Sequence, residues 1–338
     1  CGALTPPAPP PAVGAPPEGA ADAAAPAKLG PPKPDSALSV DWVYGVGGPS
    51  DGRGWAQNVK VGGVARAAAS LGALWGRDAA EGDGKPKQSF VTAHVDAVAC
   101  LAVSADGALC ATGEVGARPK IVIWKAEAGC KVIKTLHGFH TVGVKCLAFS
   151  ADGAALVSVG ADAGPDVAVH DVARGATRSC SVANAPCRAV CFAGADAKTF
   201  VTASPHALSF WSQVDSAGAY ERKQGVLGAH GPKHTYVSVC GLDAKSGLVA
   251  SGSAAGAVHV WAGRNCACVE PTAHAGADGA PFAVEALFYL GAQSKLASGG
   301  ADGKVKIWKV GVSAVKGAGS KGVRGVVAVR VLMVLPSA

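Results

Sequence analysis

The stretch Ile121-Val122-Ile123-Trp124 joins β-branched residues to a closing tryptophan, and variants of it recur along the chain. Three later copies close with Trp211, Trp261 and Trp308, and one copy closes with His170. The closing positions 124, 170, 211, 261 and 308 are therefore 46, 41, 50 and 47 residues apart. A tryptophan that ends a short strand at such an interval predicts one structural repeat per period.

Each period also contains an apolar strand that leads into a hairpin turn. Val98–Gly107 and Val144–Gly153 are near copies of each other, and each ends in the Asp-Gly turn signal. A strand of small residues follows, as in Ala111–Gly113 and Ala250–Gly252. Four short antiparallel strands per period make one propeller blade. The sequence therefore predicts an all-β WD40 β-propeller of about six four-stranded blades plus a partial one.

Composition divides the chain into segments. The 338 residues are 49% hydrophobic and 16% charged, which is typical of an ordered globular protein. Proline, alanine and glycine dominate residues 1–37, so we predict a disordered tail there. We assign residues 38–62 to an aromatic element, 63–312 to propeller blades, and 313–338 to a partial next blade or a truncated end. Within the blades, Ala69–Trp75 is interpreted as the outer strand of a shortened unit.

The cysteines favour a reducing compartment. There are eleven, an odd number, and four of them fall in the first strand of a period, where small apolar side chains pack. Cys266 and Cys268 with His274 have some resemblance to a zinc-ligand set, but the spacing is unusual and a fourth ligand is not evident. We predict no metal and no cofactor. No apolar run reaches the roughly 18 to 20 residues that span a bilayer, so we also predict no membrane span.

A recurring set of polar residues invites a catalytic interpretation. His274, Ser298, Asp302 and Trp308 supply all four members of the hydrogen-bonded network known from WD40 repeats. The period of His140 has His170 where tryptophan is expected, and the period of His94 has Val115-Gly116-Ala117 where the aspartate should fall. Because the set recurs in degraded form, we interpret it as architecture and predict no enzymatic activity.

The segment ahead of the repeats carries the most specific signal. Val40-Asp41-Trp42-Val43-Tyr44-Gly45, followed by a glycine-rich turn and Trp55–Val59, closely resembles the HELP motif of the echinoderm microtubule-associated-protein-like family. His94–Val103 and Leu136–His140 are similar to that family's first propeller, and Gly322–Val327 resembles the opening of a following blade. The resemblance covers residues 38 to 330. We interpret Trp42, Val43, Tyr44 and Gly45 as buried structural residues.

The resemblance implies a non-enzymatic protein that binds tubulin or microtubules through its propeller faces. It also implies a location in the cytoplasm and cytoskeleton, with the ciliary axoneme as a narrower alternative. The second hypothesis is a general WD40 scaffold that joins other proteins in signalling or ubiquitin transfer. A third, an enzyme or metalloprotein built on a propeller, rests only on the residues discussed above. The sequence leaves the oligomeric state open.

Charge suggests where a partner contact would lie. The formal net charge is +7, which suits an acidic protein surface and would also suit nucleic acid or phospholipid, which we do not favour. In a blade, the loop before the inner strand and the turn between the second and third strands open on one face. That rule places a set of basic residues near one rim. The set consists of Arg118, Lys120, Lys145, Lys233, His234 and Lys304.

Overall fold

The structure is a computed structural model in which almost every described residue outside the turns lies in a β-strand. It describes residues 56–59, 63–76, 87–161, 164, 166–183, 185–205, 207–215, 218–231, 234–243, 246–314 and 324–335. Over these residues the only helix is a 3-10 turn, Gly291–Gln293, and no helix is long and apolar enough to cross a membrane. Trp42, Val43, Tyr44 and Gly45 lie outside the described residues.

The strands form six four-stranded antiparallel sheets in chain order. The first sheet contains β1 (Ala56–Asn58), β2 (Val64–Ala68), β3 (Leu71–Gly76) and β4 (Lys87–Val91). The second contains β5 (Val98–Val103), β6 (Leu109–Glu114), β7 (Ile121–Lys125) and β8 (Val132–Leu136). The third contains β9 (Val144–Phe149), β10 (Ala155–Gly160), β11 (Asp166–Asp171) and β12 (Ala176–Val182).

The second half of the chain repeats this arrangement. The fourth sheet contains β13 (Ala189–Phe192), β14 (Thr199–Ser204), β15 (Ala207–Gln213) and β16 (Tyr220–Gln224). The fifth contains β17 (Tyr236–Asp243), β18 (Leu248–Ser253), β19 (Val258–Ala262) and β20 (Asn265–Glu270). The sixth contains β21 (Val284–Leu290), β22 (Lys295–Gly300), β23 (Val305–Ala314) and β24 (Arg324–Leu335).

Each sheet is one blade, and its first strand is the innermost. The first strands β1, β5, β9, β13, β17 and β21 contact one another in succession, while the fourth strands lie on the outside. The prediction of an all-β propeller built from four-stranded blades is therefore confirmed. The number of complete blades in the described residues is six.

Two details of the sequence-based assignment differ from the structure. Residues 324–335, which the sequence assigns to a partial next blade or a truncated end, form β24, and β24 pairs with β23 as the fourth strand of the sixth sheet. This apolar run supplies the outer strand that follows the tryptophan strand in the other blades. Ala69–Trp75 is not an outer strand either. Ala69 and Ser70 form the turn from β2 to β3, and Trp75 lies in β3, where the other blades carry their repeat tryptophan.

Five hydrophobic clusters hold successive blades together. Each cluster joins the apolar residues of one blade to the following blade, from the first and second blades to the fifth and sixth. The following blade contributes its repeat tryptophan in four of them. These tryptophans are Trp124, Trp211, Trp261 and Trp308. Because side chains alternate across a strand, each of the four inner blades buries one face against the blade before it and the other against the blade after it.

The two end blades each keep one face outside these five clusters. Trp75 of the first blade is 41% exposed, whereas Trp124 at the same place in the second blade is 0% exposed. On the sixth blade, Phe288 is 65% exposed and Val305 is 40% exposed. The reason is positional, because among the described residues no blade precedes the first or follows the sixth.

A matched pair of isoleucines tests this difference between inner and end blades. Ile123 and Ile307 each precede the repeat tryptophan of their blade, but Ile123 is fully buried against the third blade and Ile307 is only half-buried. Ile123→Ala should lower the free energy of unfolding by about 2 to 5 kcal/mol. Ile307→Ala should cost about half of that or less, because its apolar surface is partly in water already. Equal losses in urea unfolding would contradict this account of the end blade.

Candidate functional site

The candidate site is the face of the propeller on which the inner strands begin, here named the loop face. In the second blade, the first residue of β5, Val98, pairs with the last residue of β6, Glu114. The loop before β5 and the turn between β6 and β7 therefore leave the sheet at the same end. The same antiparallel register recurs in the other blades, so every loop of these two kinds opens on the loop face.

Four of the basic residues chosen from the sequence lie on these loops, and a fifth lies at the start of an inner strand. Arg118 and Lys120 lie in the turn between β6 and β7, and Lys304 lies in the turn between β22 and β23. Lys145 is the second residue of β9, and His234 precedes β17. Arg118, Lys145 and Lys304 are exposed, while Lys120 and His234 are half-buried. Lys233 lies outside the described residues.

A cavity of about 540 Å³ runs along the inner strands of all six blades. Most of its lining is apolar, and its charged lining residues are Lys145, Arg188 and Glu285. Arg188 lies immediately before β13, is exposed and belongs to the loop face. Arg188 was not predicted from the sequence, because Cys187 stands in that loop in place of the repeat histidine. The step of 41 residues from His170 to Trp211 bounds this period of the repeat, and counting within that period would have located the loop.

The sixth blade holds a buried network of four side chains. His274 Nδ1 lies 2.8 Å from Asp302 Oδ1, and His274 Nε2 lies 2.8 Å from Ser298 Oγ. Trp308 Nε1 donates to the same Ser298 oxygen at 2.8 Å. Asp302 also accepts a hydrogen bond from the Lys304 amide at 3.2 Å. The network thus joins strands β22 and β23 to the loop before β21, and it fixes the turn that carries Lys304.

In the second blade a glutamate replaces the missing turn aspartate. Glu114 is 1% exposed, and its Oε2 lies 2.9 Å from His94 Nδ1. His94 Nε2 lies 2.7 Å from Thr112 Oγ1. The Glu114 carboxylate also accepts the amides of Val95 at 3.0 Å and Lys120 at 3.1 Å. The repeat pattern predicts the acidic residue in the turn between β6 and β7. In the structure, the longer glutamate side chain reaches the histidine from the end of β6.

The third blade keeps its network with histidine in place of tryptophan. Ser158 Oγ lies 2.8 Å from His140 Nε2 and 2.8 Å from His170 Nε2. His170 Nδ1 lies 2.9 Å from Thr177 Oγ1. Burial first, and then the neighbouring His140, lower the pKa of His170 to about 4. A neutral imidazole at this place therefore fills the apolar position that tryptophan takes elsewhere.

The cysteine pair and His274 are not arranged as a metal site. Both ring nitrogens of His274 are occupied by Ser298 and Asp302, and the Cys266 thiol points to the Cys268 carbonyl oxygen at 3.5 Å. Within the described ranges, no group of three or more His, Cys, Asp or Glu side chains is placed to hold a metal ion.

Residues 87–333 match the family model described as the echinoderm microtubule-associated protein first β-propeller. The chain belongs to this family. The matched range begins at β4 of the first blade and ends within β24 of the sixth. It therefore includes the loop-face residues of the second, third and sixth blades, as well as Arg188.

Three solved propellers are similar to the chain at low sequence identity. The β-propeller domain of Cps50 (Swd1) from Myceliophteria thermophila is 16% identical, with a TM-score of 0.56 and 71% of each chain covered. The structure of U3-55K is 20% identical, with a TM-score of 0.58, and the comparison covers 75% of this chain and 76% of that one. The RRP9 WD40 repeats are 21% identical, with a TM-score of 0.59 and 75% of each chain covered. At these identities the likeness shows the fold alone.

The fifth blade of this family member contains a further buried imidazole. His259 is 0% exposed and stacks on Trp261, with ring centroids 6.2 Å apart. The Tyr236 ring meets the His259 ring edge-on, with centroids 5.3 Å apart, and the centroid of the His234 ring lies 5.2 Å from that of His259. Burial first, then His234 and His230, lower the pKa of His259 to about 4. The loop that carries His234 therefore rests on a ring that is neutral at pH 7.

These two histidines predict an acid-sensitive fold. The unfolded chain takes up protons near pH 6.5, whereas folded His170 and His259 do so only near pH 4. The unfolded state binds more protons between these values, so stability falls as the pH falls through that window. Each group should cost on the order of 2 kcal/mol by pH 5. Urea unfolding at pH 7 and pH 5 measures the loss, and His259→Phe should reduce it; an unchanged midpoint in the parent protein would contradict the assignment.

Glu114 supplies a second stability prediction. Glu114→Ala leaves His94 and two amides without their shared acceptor, so we expect a loss of about 2 to 4 kcal/mol in the free energy of unfolding. The matched control is Glu127→Ala, because Glu127 is 54% exposed and its carboxylate forms an ion pair with Lys125 at 3.5 Å. An exposed pair of that kind contributes about 0 to 1 kcal/mol. If the two substitutions cost the same, Glu114 does not organise the loop face.

Proposed function

We propose that this protein binds tubulin or microtubules through the loop face and carries out no chemistry of its own. Membership of a family named for microtubule association is the observation that carries the proposal. The buried His, Ser, Asp and Glu sets support its non-enzymatic part, because they bond to one another and to backbone amides that shape the loops. We further propose a place in the cytoplasm, on the cytoskeleton or the ciliary axoneme.

Electrostatics support an acidic partner. The formal net charge is +7, and residues 1–37 hold two lysines against three acidic residues, so the excess lies in the rest of the chain. On the loop face, Arg118, Lys145, Arg188 and Lys304 are exposed. Asp302 on the same face is held by His274 and the Lys304 amide, which offsets part of its charge. The same face also exposes Asp96, Asp278 and Glu285, so attraction to an acidic surface comes from local groups of cations such as Lys120 and Lys145, and it weakens with salt.

The first test is co-sedimentation with stabilised microtubules over a salt series. Lys120→Glu with Lys145→Glu should lower binding by about tenfold at low salt, because two cations on the loop face become repulsive. The control is Lys125→Glu with Lys198→Glu. Lys125 ends β7 and Lys198 precedes β14, so both lie at the opposite end of the blades, and they are 49% and 72% exposed. The control changes the net charge by the same amount.

Three outcomes separate the explanations. Loss of binding only in the loop-face variant supports the proposal, and equal loss in both variants points to net charge alone. Unchanged binding in both removes the loop face from consideration.

The alternative is a scaffold that joins other proteins in signalling or ubiquitin transfer. The exposed apolar residues Val95 and Val142 on the loop face favour some protein partner, whichever of the two functions holds. Two results together would support the scaffold. The folded protein would stay in the supernatant with microtubules at low salt, and it would retain defined partner proteins in a pull-down. The loop-face variant would lose those partners.

A further inference from the structure

Three valines on the loop face are exposed close to the basic residues. Val95 is 74% exposed, Val142 is 56% exposed and Val115 is 37% exposed. Val95 lies in the loop before β5, Val115 follows β6, and Val142 lies in the loop before β9. These three residues are here named the valine platform.

Hydrogen bonds hold the segments of the valine platform together. The Val95 amide donates to Glu114 Oε2 at 3.0 Å, and the Val115 amide donates to the Ala97 carbonyl at 2.9 Å. Across the blade boundary, the Gly116 amide donates to the Val142 carbonyl at 2.9 Å, and Val115 forms a β-bridge with Gly143. The platform is therefore fixed before any partner arrives, so that little conformational entropy is lost on binding.

Basic residues stand close to the platform along the chain and along the cavity. The Lys120 amide is bound to Glu114 Oε1 at 3.1 Å, and Lys145 follows Gly143 by two residues. Val115, Lys145 and Arg188 all line the cavity that runs along the inner strands. Asp96 opposes this charge, because its carboxylate lies against Gly116. Glu285 lines the same cavity, so Lys120, Lys145 and Arg188 stand against two exposed carboxylates, Asp96 and Glu285, beside an exposed aliphatic surface.

We propose that the valine platform binds an extended acidic peptide segment of the partner through an aliphatic side chain. The carboxylates of that segment lie against Lys120 and Lys145, and the aliphatic side chain packs on Val115 and Val142 at the mouth of the cavity. This inference rests on the proposed function, and it specifies which feature of the partner the loop face binds, namely an aliphatic side chain within an acidic segment. Charge brings the segment to the face, while burial of the aliphatic group selects among acidic sequences.

The experiment uses two labelled synthetic peptides of equal charge, Glu-Glu-Leu-Glu-Glu and Glu-Glu-Gly-Glu-Glu, with the full chain and fluorescence anisotropy. The leucine peptide should bind about tenfold more tightly, because one aliphatic side chain leaves water. Val115→Ser with Val142→Ser leaves the charge unchanged and should abolish that advantage. Val132→Ser is the control, since Val132 is 39% exposed but lies on the outer strand β8. Circular dichroism and thermal unfolding establish that each variant is folded.

The results for this inference and for the proposed function are separable. Equal binding of both peptides, or an advantage that survives the double valine substitution, overturns the valine platform even if microtubules pellet with the protein. A leucine advantage that the double substitution removes supports the platform even if microtubules do not pellet, and the partner is then another acidic protein. If neither peptide binds while microtubules do, the platform is also overturned.

Discussion

The fold depends on one contact, the packing of a blade's tryptophan face against the apolar row of the blade before it. The four repeat tryptophans are at most 2% exposed, and each lies in a core shared with the preceding blade. They are Trp124, Trp211, Trp261 and Trp308. Their indole nitrogens donate hydrogen bonds to Thr or Ser hydroxyl oxygens in the preceding strand. A large apolar ring thus fills the space between blades without leaving a buried donor unpaired. Because this contact recurs at four of the five boundaries between described blades, the inner strands converge and the loops open on common faces.

The same Ser or Thr oxygens link the core to the loop face. In the second and sixth blades, the residue that accepts the indole also meets a histidine, and that histidine meets a buried carboxylate. The carboxylate in turn accepts the amide of Lys120 or Lys304. The basic residues therefore stand on loops that are tied to the core, although their side chains reach solvent. A face built in this way presents fixed charges to a partner.

The sequence was sufficient for the fold class because the period of the repeat and the alternation of apolar residues are local patterns. Trp75 was missed as a repeat tryptophan, since its strand carries Gly72 where the other blades have isoleucine, valine or leucine. Glu114 was missed because the expected acid was sought in the turn by spacing, and spacing does not show that a longer side chain closes the same distance. Arg188 and the valine platform depend on which loops meet around the axis. That information comes from contacts between blades, which no single period contains.

The most direct measurement is hydrogen exchange of the full chain with and without stabilised microtubules. The account predicts slower amide exchange in the three loop-face segments 93–97, 114–120 and 141–146 on addition of microtubules. The Asp-Gly turns at 105–108 and 151–154, on the opposite face, should be unchanged. Protection of those turns while the loop-face segments exchange as in the free protein would contradict the account.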